Sequence, residues 1–343
     1  MISRKTIAVA FVFTFALAVV ALTFAARSQP NTPVRNFEFA YVTKIPASPA
    51  GAESLKIWIP LPQSDAYQSI HGLKIESPYP YAKHRDPEYG NEFLYLQAPA
   101  GQLSAPQEVR MSFQATRLEH RVDFSARLAN VSSAGAPTGT NPPELQRYLQ
   151  PDRRVPLQGT IADLAAQETR GIQDPLEKAR AIYNYVLATM RYDKSGTGWG
   201  NGDAIWACTA KRGNCTDFHS LLIGMMRAQG IPARFEIGFS LPTDQHDGAV
   251  PGYHCWAEFY VAAYGWIPVD ASEAWKHPEK RSYFFGAHDD NRLQFTIGRD
   301  IRLDPSQHGD PLNYFIYPYA ELDGKPFAVE SKFQFQDQIS NGD

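Results

Sequence analysis

Three side chains able to make and break acyl bonds occupy one stretch of the C-terminal half: Cys215, His254 and Asp270. Cys215 follows Asn214 and precedes Asp217, a pair that brackets a helix start. The apolar residues Phe218, Leu221, Leu222 and Met225 continue that helix, and Gly230 with Pro232 ends it. A thiol in a first helical turn faces unpaired backbone N–H groups, whose positive potential favours thiolate. The same N–H groups can bind an oxyanion growing on an attacked carbonyl. His254 opens an aromatic-rich strand, HCWAEFYV, and can take the thiol proton. Asp270 ends the next strand, WIPVD, where a carboxylate can accept the other imidazole N–H and fix the tautomer. Each residue alone has a plainer reading, the cysteine as a small buried hydrophobe and the others as satisfied polar groups. Their order and context are what point to thiol chemistry.

The hairpin between the two strands decides whether His254 and Asp270 can meet. A two-residue turn at Tyr264-Gly265 pairs Asp270 with Ala257, on the face opposite His254. A three-residue turn at Ala262–Tyr264 pairs Asp270 with Trp256 and brings it to the His254 face, at a diagonal spacing of about 7–8 Å. A bulge near Pro268 would also serve. The sequence leaves these alternatives open.

Around this set stand further candidates. His219, one turn after Cys215, either faces the nucleophile or, the preferred reading, hydrogen-bonds inside the fold. Three cysteines are too few for a disulfide scaffold. Cys208 and Cys255 are a candidate disulfide, since Cys255 should point away from His254 along its strand; both being unpaired is the alternative. Asp244, His246, Asp247, Asp289 and Asp290 lack the spacing of a calcium loop and read as solvated loops. No His/Cys group has metal-ligand spacing, so neither metal nor cofactor is expected. Asn214-Cys215-Thr216 fits a glycosylation sequon, read here as chance.

The elements that must hold these residues follow from periodicity. Residues 34–131 alternate at period two between Pro/Gly-rich turns: Phe37, Phe39, Tyr41 and Ile45 share one face, as do Leu55, Ile57 and Ile59, and Val109, Met111, Phe113 and Ala115. This predicts an antiparallel β-sandwich-like domain. Residues 132–143 read as a linker. Thr160 with Asp163 resembles a cap pair for a short helix to about Arg170, and Asp174-Pro175 caps a stronger one carrying Leu176, Ala179, Tyr183, Val186 and Met190. Period two returns at 233–239, 254–261 and 266–270, and residues 301–343 are expected as a C-terminal β tail. The expected class is therefore α+β.

The chain opens with Arg4 and Lys5, then an apolar run at 7–26 broken only by Thr14 and Thr23. This reads as a signal peptide over 1–26, or as an uncleaved inner-membrane anchor. The expected location is exported, periplasmic or secreted. The net charge of −3, with no basic run, speaks against nucleic acid, and leaves the membrane as a partner only through that first segment.

The segments RGNCTDFHSLLIGMMRAQGIPARFEIGF, GYHCWAEFYV and GWIPVDASEA resemble the three motifs of the transglutaminase-like core superfamily, over about residues 162–300. The resemblance implies a papain-like core over 144–300 and a Cys–His–Asp triad falling on Cys215, His254 and Asp270. It implies cysteine-dependent acyl transfer on protein or peptide amides, as in cross-linkers, deamidases, peptidases and glycan-removing amidases. An aromatic residue often assists the oxyanion in this superfamily. Tyr192, Trp199 and Trp206 precede Cys215; Tyr192 is favoured, with core or loop packing the equal alternative for each. Hydrolysis of an envelope protein or peptide is the leading expectation. Cross-linking is the runner-up, and a non-catalytic envelope-binding scaffold the rival from another class.

Overall fold

The computed structural model describes residues 32–99, 103–125, 143–305 and 307–338. The first 26 residues, and the expected linker except for Pro143, lie outside them. Among the described residues no helix is long and apolar enough to cross a membrane.

Six strands of the N-terminal half and four of the C-terminal half form two five-stranded antiparallel sheets. One runs Asp247–Ala249, Glu330–Asp337, Val34–Ile45, Gln107–Leu118, Gln68–Glu76; the other Lys325–Pro326, Tyr319–Leu322, Ser54–Pro60, Glu92–Pro99, Tyr81–Arg85. The alternation in the sequence is what buries them: Phe37, Phe39 and Tyr41 from one sheet share a core with Leu55, Ile57 and Ile59 from the other. The segment expected as a C-terminal β tail supplies strands to this sandwich. Tyr319–Leu322 pairs with Ser54–Pro60, and Glu330–Asp337 pairs with Val34–Ile45. Phe333 and Phe335 alternate with exposed Lys332, Gln334 and Gln336, and unpaired they would leave both rings in water.

The second layer is a four-stranded sheet, ordered Gly265–Val269, His254–Val261, Ala233–Ser240, Arg292–Ile297. Five helices accompany it: α1 (Thr160–Glu168), α2 (Pro175–Thr189), α3 (Ala204–Ala210), α4 (Cys215–Ala228) and α5 (Ala271–Lys276). Helix α4 is buried from Cys215 through Arg227, enclosed by the sheet and the other helices. A helix buried on every side needs its polar groups partnered. Arg227 bonds the Ala233 carbonyl at 2.9 Å and pairs with Asp152 at 2.7 Å. Asp174 caps α2, accepting from the Leu176 and Glu177 N–H groups. At α1 the expected Thr160–Asp163 cap does not form. Gly159, at φ 59°, takes the N-cap position with no side-chain bond, and Thr160 is the first helical residue.

Candidate active site

The start of α4 is fixed by its neighbours in sequence. The Asn214 side chain accepts from the Thr216 N–H at 3.0 Å. The Asp217 carboxylate accepts from the Asn214 N–H at 3.0 Å, closing the cap, and also from Gly200 N–H at 2.7 Å and Gly202 N–H at 3.0 Å. One side chain thereby ties the glycine-rich 195–202 loop to the turn that carries Cys215. Burial pushes the Asp217 pKa up, against these three donors. Gly213 passes alongside at φ 150°, where a Cβ would lie 2.3 Å from an Asp217 oxygen, so only glycine fits.

His254 and Asp270 meet through the three-residue turn. Val261 pairs with Gly265 and Ala257 with Val269, leaving Ala262–Tyr264 as the turn and setting Asp270 on the His254 face. His254 Nε2 lies 2.7 Å from Asp270 Oδ2, which leaves Nδ1 for Cys215. Asp270 also caps α5. Its Oδ1 accepts from Ser272 Oγ at 2.9 Å and from the Glu273 N–H at 2.8 Å; its Oδ2 accepts a second bond, from Arg292 Nη1 at 2.7 Å.

The charges follow from these contacts. A hydrogen bond from the Cys255 thiol holds the Cys215 pKa well below the usual thiol value; burial opposes this and His254 reinforces it. Burial alone would lower His254, but the charge and hydrogen bond of Asp270, with Cys215, push it up to about 9. Burial would raise Asp270; His254 and Arg292 instead hold it well below the carboxylate range. An ion pair of thiolate and imidazolium is the state these shifts favour. Cys215 is 2 % exposed, His254 6 % and Asp270 fully buried, so little water screens it.

The other candidates divide. His219 Nδ1 donates to the Cys215 carbonyl at 2.7 Å while its Nε2 accepts from the Ala271 N–H at 3.2 Å. It braces the first turn of α4 against α5, spending both nitrogens inside the fold. Tyr192 is half-buried against Phe218, with Lys276 Nζ 4.4 Å from its ring centre. Burial foremost, then the nearness of Cys215, raises its pKa. Trp199 Nε1 donates to the Gly196 carbonyl, and Trp206 packs beneath Gly198 and Arg212; both are spent on the loop.

The Cys208–Cys255 disulfide does not form, and all three cysteines are free. Cys255 Sγ turns to the start of α4, 3.7 Å from Thr216 Oγ1 and 3.8 Å from His219 Nδ1, whereas Cys208 stays half-buried on α3.

Two partners went unread in the sequence. Tyr253 hydroxyl bonds Asn214 Nδ2 at 3.1 Å and Thr216 Oγ1 at 3.0 Å. Its place directly before His254 was the available signal. Arg292 is a lone cation in the apolar strand RLQFTI; nothing in its spacing ties it to Asp270. Among the described residues two groups bring three metal-ligand side chains within 4.8 Å: His254, Asp270 and Glu273, and Glu236, Glu258 and His288. The first is the site itself. In the second, Arg234 and Trp256 already engage Glu236, and Arg234 and His120 engage Glu258.

Residues 162–271 match the model of the transglutaminase-like superfamily. The chain is 28 % identical to an uncharacterised protein of Haemophilus influenzae over 336 residues, 86 % of this chain and 88 % of that one. It is 23 % identical to the Bacillus subtilis protein YebA over 146 residues, 38 % of this chain and 20 % of that one. In fold it is similar to a candidate cysteine protease of Cytophaga hutchinsonii, with a TM-score of 0.62 at 16 % identity, covering 91 % of this chain and 93 % of the other. Residues 162–271 therefore carry a transglutaminase-like core, set against a β-sandwich built from segments on either side of it.

Proposed function

We propose that this protein is an exported cysteine hydrolase of protein or peptide amides, with Cys215 as nucleophile, His254 as base and then acid, and Asp270 as the group that orients the imidazole. The observation that carries the reading is the chain of contacts from thiolate to carboxylate: Cys215 depressed by its neighbours, His254 raised, and Asp270 at 2.7 Å from His254 Nε2. In the reaction the thiolate adds to the amide carbonyl, and the negative charge moves to the carbonyl oxygen. The Cys215 N–H is the natural donor to it at the start of α4, since Asn214 already takes the N–H groups of Thr216, Asp217 and Phe218. Collapse expels the amine, which takes its proton from His254, and leaves a thioester on Cys215. Water, deprotonated by His254, then adds to the thioester. The acid departs and the ion pair returns.

Water rather than a lysine amine is favoured because Cys215 is 2 % exposed, and a constricted approach suits the smaller resolving group. Export rests on the basic start and the apolar run of residues 7–26. The test is mass spectrometry of cell-envelope proteins and peptides incubated with wild type and with Cys215→Ala. Cleaved or deamidated products present only with wild type support hydrolysis. Amine-linked products would move the assignment to cross-linking, and identical spectra for the two proteins would leave the scaffold reading.

A further inference from the structure

Asp270 Oδ2 serves two donors at the same distance, His254 Nε2 and Arg292 Nη1, each at 2.7 Å. Arg292 is 1 % exposed. Its guanidinium sits 5.1 Å from the Trp256 ring centre and 5.8 Å from that of Phe284, and its other acid partner is Asp289 at 3.4 Å. Burying a guanidinium is costly unless its partners repay the lost hydration. Here the closest partner is the carboxylate that orients the candidate base.

We propose that Arg292 is a positioning residue of this site: it locks the Asp270 carboxylate and takes part of its charge, so that the imidazolium formed on His254 can release its proton to a departing amine. The inference rests on the thiol-enzyme reading above. Without Arg292, the whole Asp270 charge would bear on His254, and the imidazolium would hold its proton too tightly to act as an acid. The groups facing this pair from every side are Cys215 and His219 on α4, Glu273 on α5 at 3.7 Å from His254 Nε2, and Asp289. Behind Arg292 stand His288, Tyr283 and, from the sandwich, Arg117. Cys215 and the acids stabilise the imidazolium, so within this shell Arg292 is the fixed charge placed to oppose them.

The experiment follows the His254 ring resonance with pH in isotope-labelled full chain. Wild type is compared with Arg292→Gln, which removes the charge, and Arg292→Lys, which keeps it. With both donors on one oxygen, their charges lie about 5 Å apart, and losing one should raise the His254 midpoint by about one to two pH units. The lysine variant should stay within about half a unit of wild type. Where a substrate is in hand, Arg292→Gln should lower kcat with KM little changed. If Arg292→Gln does not fold, Arg292→Gln with Asp289→Asn removes the cation together with its second counter-ion, and a smaller upward shift is expected relative to Asp289→Asn alone, because Asp289 itself favours the imidazolium. A His254 midpoint unmoved in the folded neutral variant overturns the proposal. Iodoacetamide labelling of Cys215 in wild type keeps the two readings apart: an inert thiol overturns the enzyme reading, whereas the His254 titration reports on Arg292 either way.

Discussion

Asp270→Asn keeps the size of the side chain and removes its charge. The carboxylate has four donors: Ser272 Oγ and Glu273 N–H on one oxygen, His254 Nε2 and Arg292 Nη1 on the other. An amide offers one oxygen. If that oxygen faces Ser272 and Glu273, its NH2 meets His254 Nε2, which must then accept, and the ring proton moves to Nδ1 and blocks transfer from Cys215. If the oxygen faces His254, the α5 cap loses a bond worth about 1 kcal/mol, and the tautomer survives without its counter-charge. Either way burial then acts against the pull of Cys215 alone and brings His254 from about 9 towards its ordinary 6.5. A fall of roughly 2.5 units corresponds to about 3.4 kcal/mol, or ~300-fold in the imidazolium population; a misplaced tautomer extends the loss towards ~10⁴ in turnover. The variant should also lose the stabilisation that the raised His254 confers below about pH 6.5, which in wild type fades as pH climbs through about 9. The assay is turnover, with circular dichroism to confirm folding and iodoacetamide labelling across pH to read the thiolate. A folded Asp270→Asn protein keeping more than about a tenth of wild-type turnover would refute this reasoning.

Cys215→Ala should abolish turnover, and adding His254→Ala should change nothing further, because the two act in one proton transfer; kinetics on the singles and the double check this. Asp217→Ala should destabilise the fold by about 2–4 kcal/mol, since it unties three backbone N–H groups from the 195–202 loop and the α4 cap, measured by urea unfolding. Fractionation of the expressing cell should place the protein outside the cytosol; a cytosolic chain with Met1 intact defeats the export reading.

What could be read from the sequence was local. The start of α4 was legible because Asn214 and Asp217 are near neighbours, and a cap is a contact between residues two or three apart. The His254 strand begins and ends where its composition changes. The turn was narrowed to alternatives, because parity alone fixes faces, and Ala262–Tyr264 was one of them. The Cys208–Cys255 bond stayed open in the sequence, and the structure takes the unpaired alternative, because strand alternation says which face a thiol takes, not which helix covers that face. Arg292 and Asp270 are separated by a helix and a loop, and no periodicity encodes such a pairing. The expected C-terminal β segment is β-structured, but its partners were not legible for the same reason. The period of Glu330–Asp337 announces a strand, while its partner stands almost three hundred residues earlier.

That pairing has a consequence for how the chain assembles. Phe37 lies across from Asp337 and Lys44 from Glu330, so the first described strand and the last are hydrogen-bonded neighbours. The superfamily core, with Cys215 in it, is an insert between strands of a sandwich that closes only when its final segment arrives. Val34–Ile45 pairs on one edge with Gln107–Leu118, close in sequence, and on the other with Glu330–Asp337, almost three hundred residues on. Contacts of such long sequence separation form slowly, and an edge left open meanwhile can pair with another molecule. The core can therefore condense around α4 first, and the sandwich acts as a clasp fastened last, locking both ends of the insert once the helix carrying Cys215 is in place.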